Sequence, residues 1–285
     1  MSANRPRRRT VDRAGWLEVR CSLFPQPAHP GLFVDWSSLG EAIERWRVEG
    51  RYRWCFFVRK PPGLRVRFAG DDVAGRLEPV LLPWLAEAER RNDIRGFRFT
   101  TYEPEEARFG GPVGMAIAHD AFDVDSRDAI RYERLSEDQR PGFSRQTFSV
   151  AACSHLFRHS LGDQAEIWDV WQRLGRVVGS HPVGPGTDGR AVESLAALAL
   201  ANGAAPDLTQ LSADARLLLQ ERFERNLGIA GAIVAAANTG RLNVGLRAWL
   251  TALTIFHWNR VGLVHDLPGL AGVVADLCRA LEPDT

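Results

Sequence analysis

The sequence predicts an α+β fold, with a mainly antiparallel sheet in the N-terminal part and a helix-rich C-terminal part. Three observations carry this. Short stretches of alternating apolar and polar residues recur through the first hundred residues. A Pro61-Pro62-Gly63 turn joins the apolar run Trp54–Arg59 to Leu64–Phe68 as a hairpin. Beyond Gly111 the chain becomes rich in Ala and Leu with helical spacing.

The elements follow in order. Trp16–Phe24 alternates as a strand and is closed by Pro25 and Pro27. Leu39–Arg47 has helical spacing, with Ser37 and Ser38 available to cap it. Trp54–Arg59 and Leu64–Phe68 are the two strands of the hairpin. Asp71–Arg91 reads as a helix with an apolar stripe from Leu77 to Leu85, and Pro79 and Pro83 predict a kink or a late start. Phe97–Tyr102 alternates again and predicts a fourth strand. Helices are then expected at Pro112–Ala121, Ser126–Leu135, Arg145–Ser160, Gln164–Val178, Ala191–Ala201, Ala213–Asn238, Leu242–Trp258 and Ala271–Leu281. Gly179–Gly189 reads as a loop, dense in Gly and Pro. The expected organisation is a disordered basic tail over 1–13 and a single domain over 14–285, sheet-rich over 14–110 and helix-rich over 111–285.

Composition narrows the function classes. A chain of 285 residues with 45% hydrophobic and 25% charged residues can bury a sizeable core. Its net charge of +1 provides no global field for nucleic acid or an anionic membrane. Lys60 is the only lysine, so arginine supplies nearly all the positive charge. A GC-rich genome explains that total but not where particular arginines sit. Cys21, Cys55, Cys153 and Cys278 lie far apart without a CxxC pair and read as free, mostly buried thiols. With neither a secretory signal nor an apolar run near 20 residues, a cytoplasmic location is expected.

Three stretches can carry chemistry. Arg65 and Arg67 fall on one face of their strand, while Leu64, Val66 and Phe68 take the other. A solvated polar sheet face is the plain reading. Adjacent guanidiniums nevertheless repel unless an anion lies between them, and their forks suit carboxylates. Arg108 stands just before Gly110-Gly111-Pro112, a break that starts a helix whose N-terminus favours anions. The plain reading there, which local context favours, pairs Arg108 with Glu103, Glu105 or Glu106. His257 and Arg260 share a helical face near the end of an apolar helix, and Asn259 lies beside them near that end. A histidine among aromatics is most often core, but this one sits where it could also transfer protons. His155 and His159 are four apart without an HExxH frame or third ligand, so no metal site is expected. Walker, GxGxxG and GxSxG patterns are absent.

Taken together, these stretches resemble the C-terminal domain of lanthipeptide dehydratases, a family shared with thiopeptide-type bacteriocin biosynthesis proteins. FFVRKPPGLRVRF resembles its FF-x-RY…P-hydrophobic-R-hydrophobic-RF segment, and YEPEEARFGG…DS its YxPE…RYGG…DS segment, with Phe109 at the usual tyrosine. FHWNRVGL resembles its late His…Asn-Arg segment. The matches run from about Phe56 to Gly262, most of the chain.

The resemblance implies a stand-alone elimination subunit of a split dehydratase. A tRNA-dependent glutamyltransferase partner would load glutamate onto Ser or Thr of a ribosomal precursor peptide carrying a leader. This chain would then eliminate the glutamate to leave dehydroalanine or dehydrobutyrine. His257, Arg67 and Arg108 are the implied catalytic residues, with Arg65, Arg260 and Asn259 binding substrate. No cofactor, metal or direct nucleic-acid contact is implied, and a homodimer is compatible. Two alternatives stand beside it. One is a thiopeptide pyridine synthase of the same fold, which largely lacks the arginine and histidine set. The other is a non-catalytic module that binds precursor peptide by strand addition.

Overall fold

A computed structural model describes residues 15–24, 35–179 and 208–283. The basic tail, the expected helix 191–201 and residues 180–189 of the expected loop lie outside the described residues. The structure is α+β, and the chain divides between Pro104 and Glu105 into two compact units.

The first unit holds a four-stranded antiparallel sheet: β1 (Trp16–Ser22), β2 (Trp54–Lys60), β3 (Gly63–Ala69) and β4 (Gly96–Thr100), ordered β2-β3-β1-β4. β2 and β3 form the expected hairpin, in register from Trp54 opposite Ala69 to Lys60 opposite Gly63. Strand alternation splits the sheet into two faces. One face carries Val19, Cys21, Leu64, Val66 and Phe68, and meets α1 (Trp36–Val48) and α2 (Val73–Arg90) in a single apolar layer. Trp46 on α1 stands edge-on to Phe68 and Trp84, with ring centroids 6.2 and 6.0 Å apart. The helix α1 starts earlier than its apolar spacing indicates, because the Asp35 carboxylate accepts the Ser38 N–H and caps it in place of the serines. Pro79 and Pro83 both lie inside α2, which begins at Val73 behind an Asp72 cap.

The second unit is helical. It contains α3 (Pro112–Arg134), α4 (Arg145–Leu161), α5 (Gln164–Val178), α6 (Ala213–Asn238), α7 (Leu246–Val261) and α8 (Leu267–Ala280). α6 packs on α3 and α4, while α7 packs on α3, α4 and α5, and α8 on α5. The two helices expected over 112–135 are one continuous helix of 23 residues. Asp123 and Asp125 sit inside it because ion pairs satisfy them: Arg127 one turn on for Asp123, and cations from other helices for Asp125. The helix expected from Leu242 starts only at Leu246. The residues before it run across to the Gly110-Gly111 turn, where the Asn243 N–H donates to the Gly110 carbonyl at 2.9 Å. α8 begins four residues earlier than expected, with Asp266 capping it and Pro268 in its first turn.

The thiols are free, with Cys21, Cys55 and Cys153 buried. Burial pushes Cys21 and Cys153 up to about 12. Among the described residues no helix is long and apolar enough to cross a membrane.

Candidate active-site residues

The polar face of the sheet is built in cross-strand rows. One row places Phe56, Arg67, Glu18 and Thr100 side by side on β2, β3, β1 and β4. Glu18 is its hub. Its Oε2 accepts from Arg67 Nε at 2.6 Å, and its Oε1 accepts from Arg20 Nε at 2.8 Å and from the Thr100 hydroxyl at 2.6 Å. Burial pushes the Glu18 carboxyl up, but the Thr100 bond and the Arg67 and Arg20 charges outweigh it and hold it below the usual range. The Arg67 guanidinium lies 4.3 Å from the Tyr102 ring centroid and 5.1 Å from that of Phe56. Arg67 is therefore a pinned cation, only 8% exposed. Tyr102, beyond the end of β4, also packs edge-on to Trp16 and Phe56.

The next row runs Val58, Arg65, Arg20, Arg98, so that three arginines stand directly opposite one another on β3, β1 and β4. Arg65 and Arg67 share a face, as strand alternation predicts, but Arg65 is half-buried and has no carboxylate partner among the described residues. Partial burial and then repulsion from Arg20 lower its pKa, against the attraction of Glu18.

In the second unit, residues 105–111 form a tight turn, with the N–H groups of Arg108 and Phe109 both donating to the Glu105 carbonyl at 3.0 and 3.2 Å. Arg108 pairs with Glu105 at 3.0 Å, as local context favours, and is 53% exposed. It also stands 5.9 Å from the Phe256 ring centroid. Phe109 is fully buried among Phe122, Trp249 and Phe256, an apolar setting that has no use for a tyrosine hydroxyl. Gly110 and Gly111 have φ of 76° and 96°. A Cβ on Gly110 would come within 2.8 Å of Leu242 and Val244 side-chain carbons, so both backbone conformation and close approach require glycine there.

His257 and Arg260 on α7 do share a face, and both reach Asp125 on α3. His257 Nδ1 lies 2.6 Å from Asp125 Oδ1, and Arg260 donates to Oδ2 at 3.1 Å. Arg222 on α6 donates to the same Oδ1 at 2.7 Å, and its Nε donates to Asn226 at 3.0 Å. Burial alone would raise the Asp125 carboxyl, yet His257, Arg222 and Arg260 together hold it far below the usual range. Its neighbour Asp128, paired with Arg225 at 2.8 Å, goes the other way: burial pushes it up. The Arg260 guanidinium lies 4.2 Å from the Phe122 centroid and 5.9 Å from that of Phe256, so Arg108 and Arg260 border one ring.

His257 is 2% exposed, and its Nε2 is buried without a hydrogen-bond partner among the described residues. A cavity of about 10 Å³ lies beside it, lined by Asp125, Arg222, Thr254 and apolar side chains, with room for about one water. Asn259 is half-buried in the last turn of α7, where its carbonyl accepts the Gly262 N–H at 3.2 Å.

The structure thus gathers Arg65 with Arg67, and His257 with Arg260 and, through Phe256, Arg108. Sequence reasoning missed four partners: Glu18, Arg20, Asp125 and Arg222. Glu18 and Arg20 had a usable signal, since strand alternation puts both on one face of β1. Asp125 had a weaker one, as a carboxylate within the DS segment, while Arg222 had none. His155 stacks on Phe223 at 4.3 Å, and burial lowers it to about 4. No cluster of three metal-ligating side chains occurs among the described residues.

A family model described as the lantibiotic biosynthesis dehydratase C-terminus matches residues 36–267. The chain belongs to that family. The match includes every side chain of the candidate site except those of β1, and it places the protein in lantibiotic biosynthesis. No curated protein sequence matches the chain. Among solved structures, the tRNA-dependent lantibiotic dehydratase MibB from Microbispora sp. 107891 is similar with a TM-score of 0.64 at 17% identity. The similarity covers 93% of this chain and 28% of MibB, so the dehydratase-family chain described here spans just over a quarter of that enzyme's length. TsrL is similar with a TM-score of 0.55 at 17% identity, over 95% of this chain and 99% of TsrL.

Proposed function

We propose that this chain is the elimination subunit of a split lanthipeptide or thiopeptide dehydratase, with residues 14–285 acting as one elimination-type domain. Its substrate is a precursor peptide whose Ser or Thr hydroxyls carry glutamate, loaded by a tRNA-dependent glutamyltransferase partner, and both work in the cytoplasm. In the elimination, a base takes the α-proton of the esterified residue. The β-carbon–oxygen bond breaks, its electron pair leaves with the glutamyl carboxylate, and dehydroalanine or dehydrobutyrine remains.

The observation that carries this reading is the pairing of His257 Nδ1 with Asp125 at 2.6 Å. A carboxylate on one ring nitrogen fixes the imidazole's orientation and leaves Nε2 for proton transfer. Arg65, Arg67 and Arg108 serve the glutamyl group, whose negative charge grows as it departs, and fixed cations stabilise such charge without reorganising. Asn259 supports substrate binding at the end of α7, while Arg260, fully buried, contributes by holding the Asp125 carboxylate that orients His257. Because the imidazole is 2% exposed, it exchanges protons through a water or a local opening.

Glutamylated precursor peptide incubated with the purified protein should lose glutamate, read as a mass decrease. Arg67→Ala and His257→Ala should slow that loss at least a hundredfold. Elimination at the wild-type rate by both variants would overturn the assignment.

The burial of His257 favours a second reading, in which the Asp125 hub only holds the helices together and the protein binds precursor peptide for another enzyme or acts as a pyridine synthase. Peptide already containing dehydroalanines separates these. Release of its leader with new pyridine absorbance identifies the synthase, and binding without any turnover identifies the delivery module.

A further inference from the structure

The row of arginines on the sheet has no role in the hub around Glu18 beyond one edge of Arg20. Arg65, Arg20 and Arg98 stand in register on three neighbouring strands. Strands lie about 4.8 Å apart, so the row spans about 10 Å. Like charges directly opposite on a sheet are destabilising, and here two such pairs follow one another. Among the described residues, neither Arg65 nor Arg98 has an ion pair. The row opens on a hollow of about 460 Å³, bounded by Lys60, the Pro61-Pro62-Gly63 turn and Gly96-Phe97, and among the described residues no Asp or Glu lines it. The last row of the sheet, Lys60, Gly63, Ser22 and Gly96, leaves the hollow low-walled, because two of its four members have no side chain.

The adjacent row indicates what chemistry this arrangement takes. There the Glu18 carboxylate is gripped from β3 by Arg67 and from its own strand by Arg20, at 2.6 and 2.8 Å. One row along, cations repeat across three strands without a carboxylate in that row among the described residues.

We propose that Arg20, Arg65 and Arg98, with Lys60 at the rim, form a binding site for carboxylate ligands, in which an incoming carboxylate takes the role beside these arginines that Glu18 takes beside Arg67. The proposal deepens the elimination reading and rests on it only for the source of the carboxylate, which is either glutamate itself or acidic side chains of the precursor peptide. Guanidinium forks accept carboxylates in bidentate fashion, and three of them in a row hold more than one such group at once.

Calorimetric titration of the full-length protein tests this with three probes: L-glutamate, a hexaglutamate peptide and inorganic phosphate. At least one glutamate probe should bind, more weakly as salt rises from about 50 to about 500 mM. Arg98→Ala and Arg20→Ala should each weaken binding at least fivefold, with Arg98→Ala the cleaner variant because Arg98 is exposed. Tighter binding of hexaglutamate assigns the site to a peptide segment, and equal binding of L-glutamate assigns it to the amino acid; either upholds it. Absence of binding by both glutamate probes, wild-type affinity in both variants, or a stronger preference for phosphate overturns it. A protein that binds carboxylates through these arginines yet never releases glutamate from glutamylated peptide keeps this site and loses the elimination reading. Turnover with unaltered binding in the variants does the reverse.

Discussion

The sheet face of the first unit and the helical hub of the second solve the burial of arginine in opposite ways. On the sheet, Arg20, Arg65, Arg67 and Arg98 face one carboxylate among the described residues, Glu18, and all but Arg67 keep some exposure. In the hub, Arg222, Arg225 and Arg260 meet Asp125 and Asp128, and only Arg225 is appreciably exposed. Burying a cation costs several kcal/mol unless it is matched, which is why each hub arginine touches a carboxylate. Excess positive charge is tolerable only where water, or a ligand, can reach it. A count of arginines therefore says little: their carboxylate partners decide which arginines hold the fold and which remain for something else.

The largest effect should come from breaking the hub. Asp125→Ala leaves Arg222, Arg260 and His257 without their shared acceptor, and denaturant unfolding should register a loss of about 3–5 kcal/mol. Acid sharpens the same point. Asp125 is depressed by folding, so its stabilisation is complete above the unfolded carboxylate value of about 4 and is lost as pH falls below it. The deficit of Asp125→Asn relative to wild type should accordingly shrink as unfolding is followed from pH 6 to pH 3.

On the sheet, Glu18→Gln should cost less, about 1–3 kcal/mol by the same measurement, because Thr100 can still bond the amide and Arg67 keeps its aromatic rings. His155 should contribute a smaller and distinct pH dependence. Burial lowers it from 6.5 to about 4, so the unfolded chain takes up its proton first and stability drains as pH falls between those values. His155→Phe, which keeps a ring on Phe223, should flatten the thermal-melt profile in that window. Smallest of all, Arg98→Ala should leave stability within about 0.5 kcal/mol of wild type. A larger loss would mean that the row is structural and would erase the contrast between the two regions.

Most of the fold was legible. All four strands were found to within two residues at each end, most by alternation, a local property that one buried face imposes. Trp54–Arg59, a continuous apolar run, was found by its place before the Pro61-Pro62-Gly63 turn. Helix ends were harder. Leu242–Gly245 has apolar spacing that continues into α7, yet the Gly110 backbone holds it out of the helix, a contact over 130 positions away in sequence. The middle of α3 was misread for a related reason: Asp123 and Asp125 look like a break until the cations that satisfy them are in place. The site divides the same way. Arg65 and Arg67 could be paired from strand alternation, and His257 with Arg260 from helical spacing. Asp125 and Arg222 could not, since ion pairs spanning some 100 positions leave no periodic trace.

One compositional accident has a practical use. Because Lys60 is the sole lysine and lies exposed at the mouth of the hollow, amine-reactive fluorophores address a single side chain within the protein. Chemistry that would scatter dye over an ordinary surface here labels one side chain, besides the α-amino group that titrates at about 7.7–8.0. Labelling at a pH of about 9–10 then reports on the neighbourhood of the arginine row once the α-amino label is subtracted.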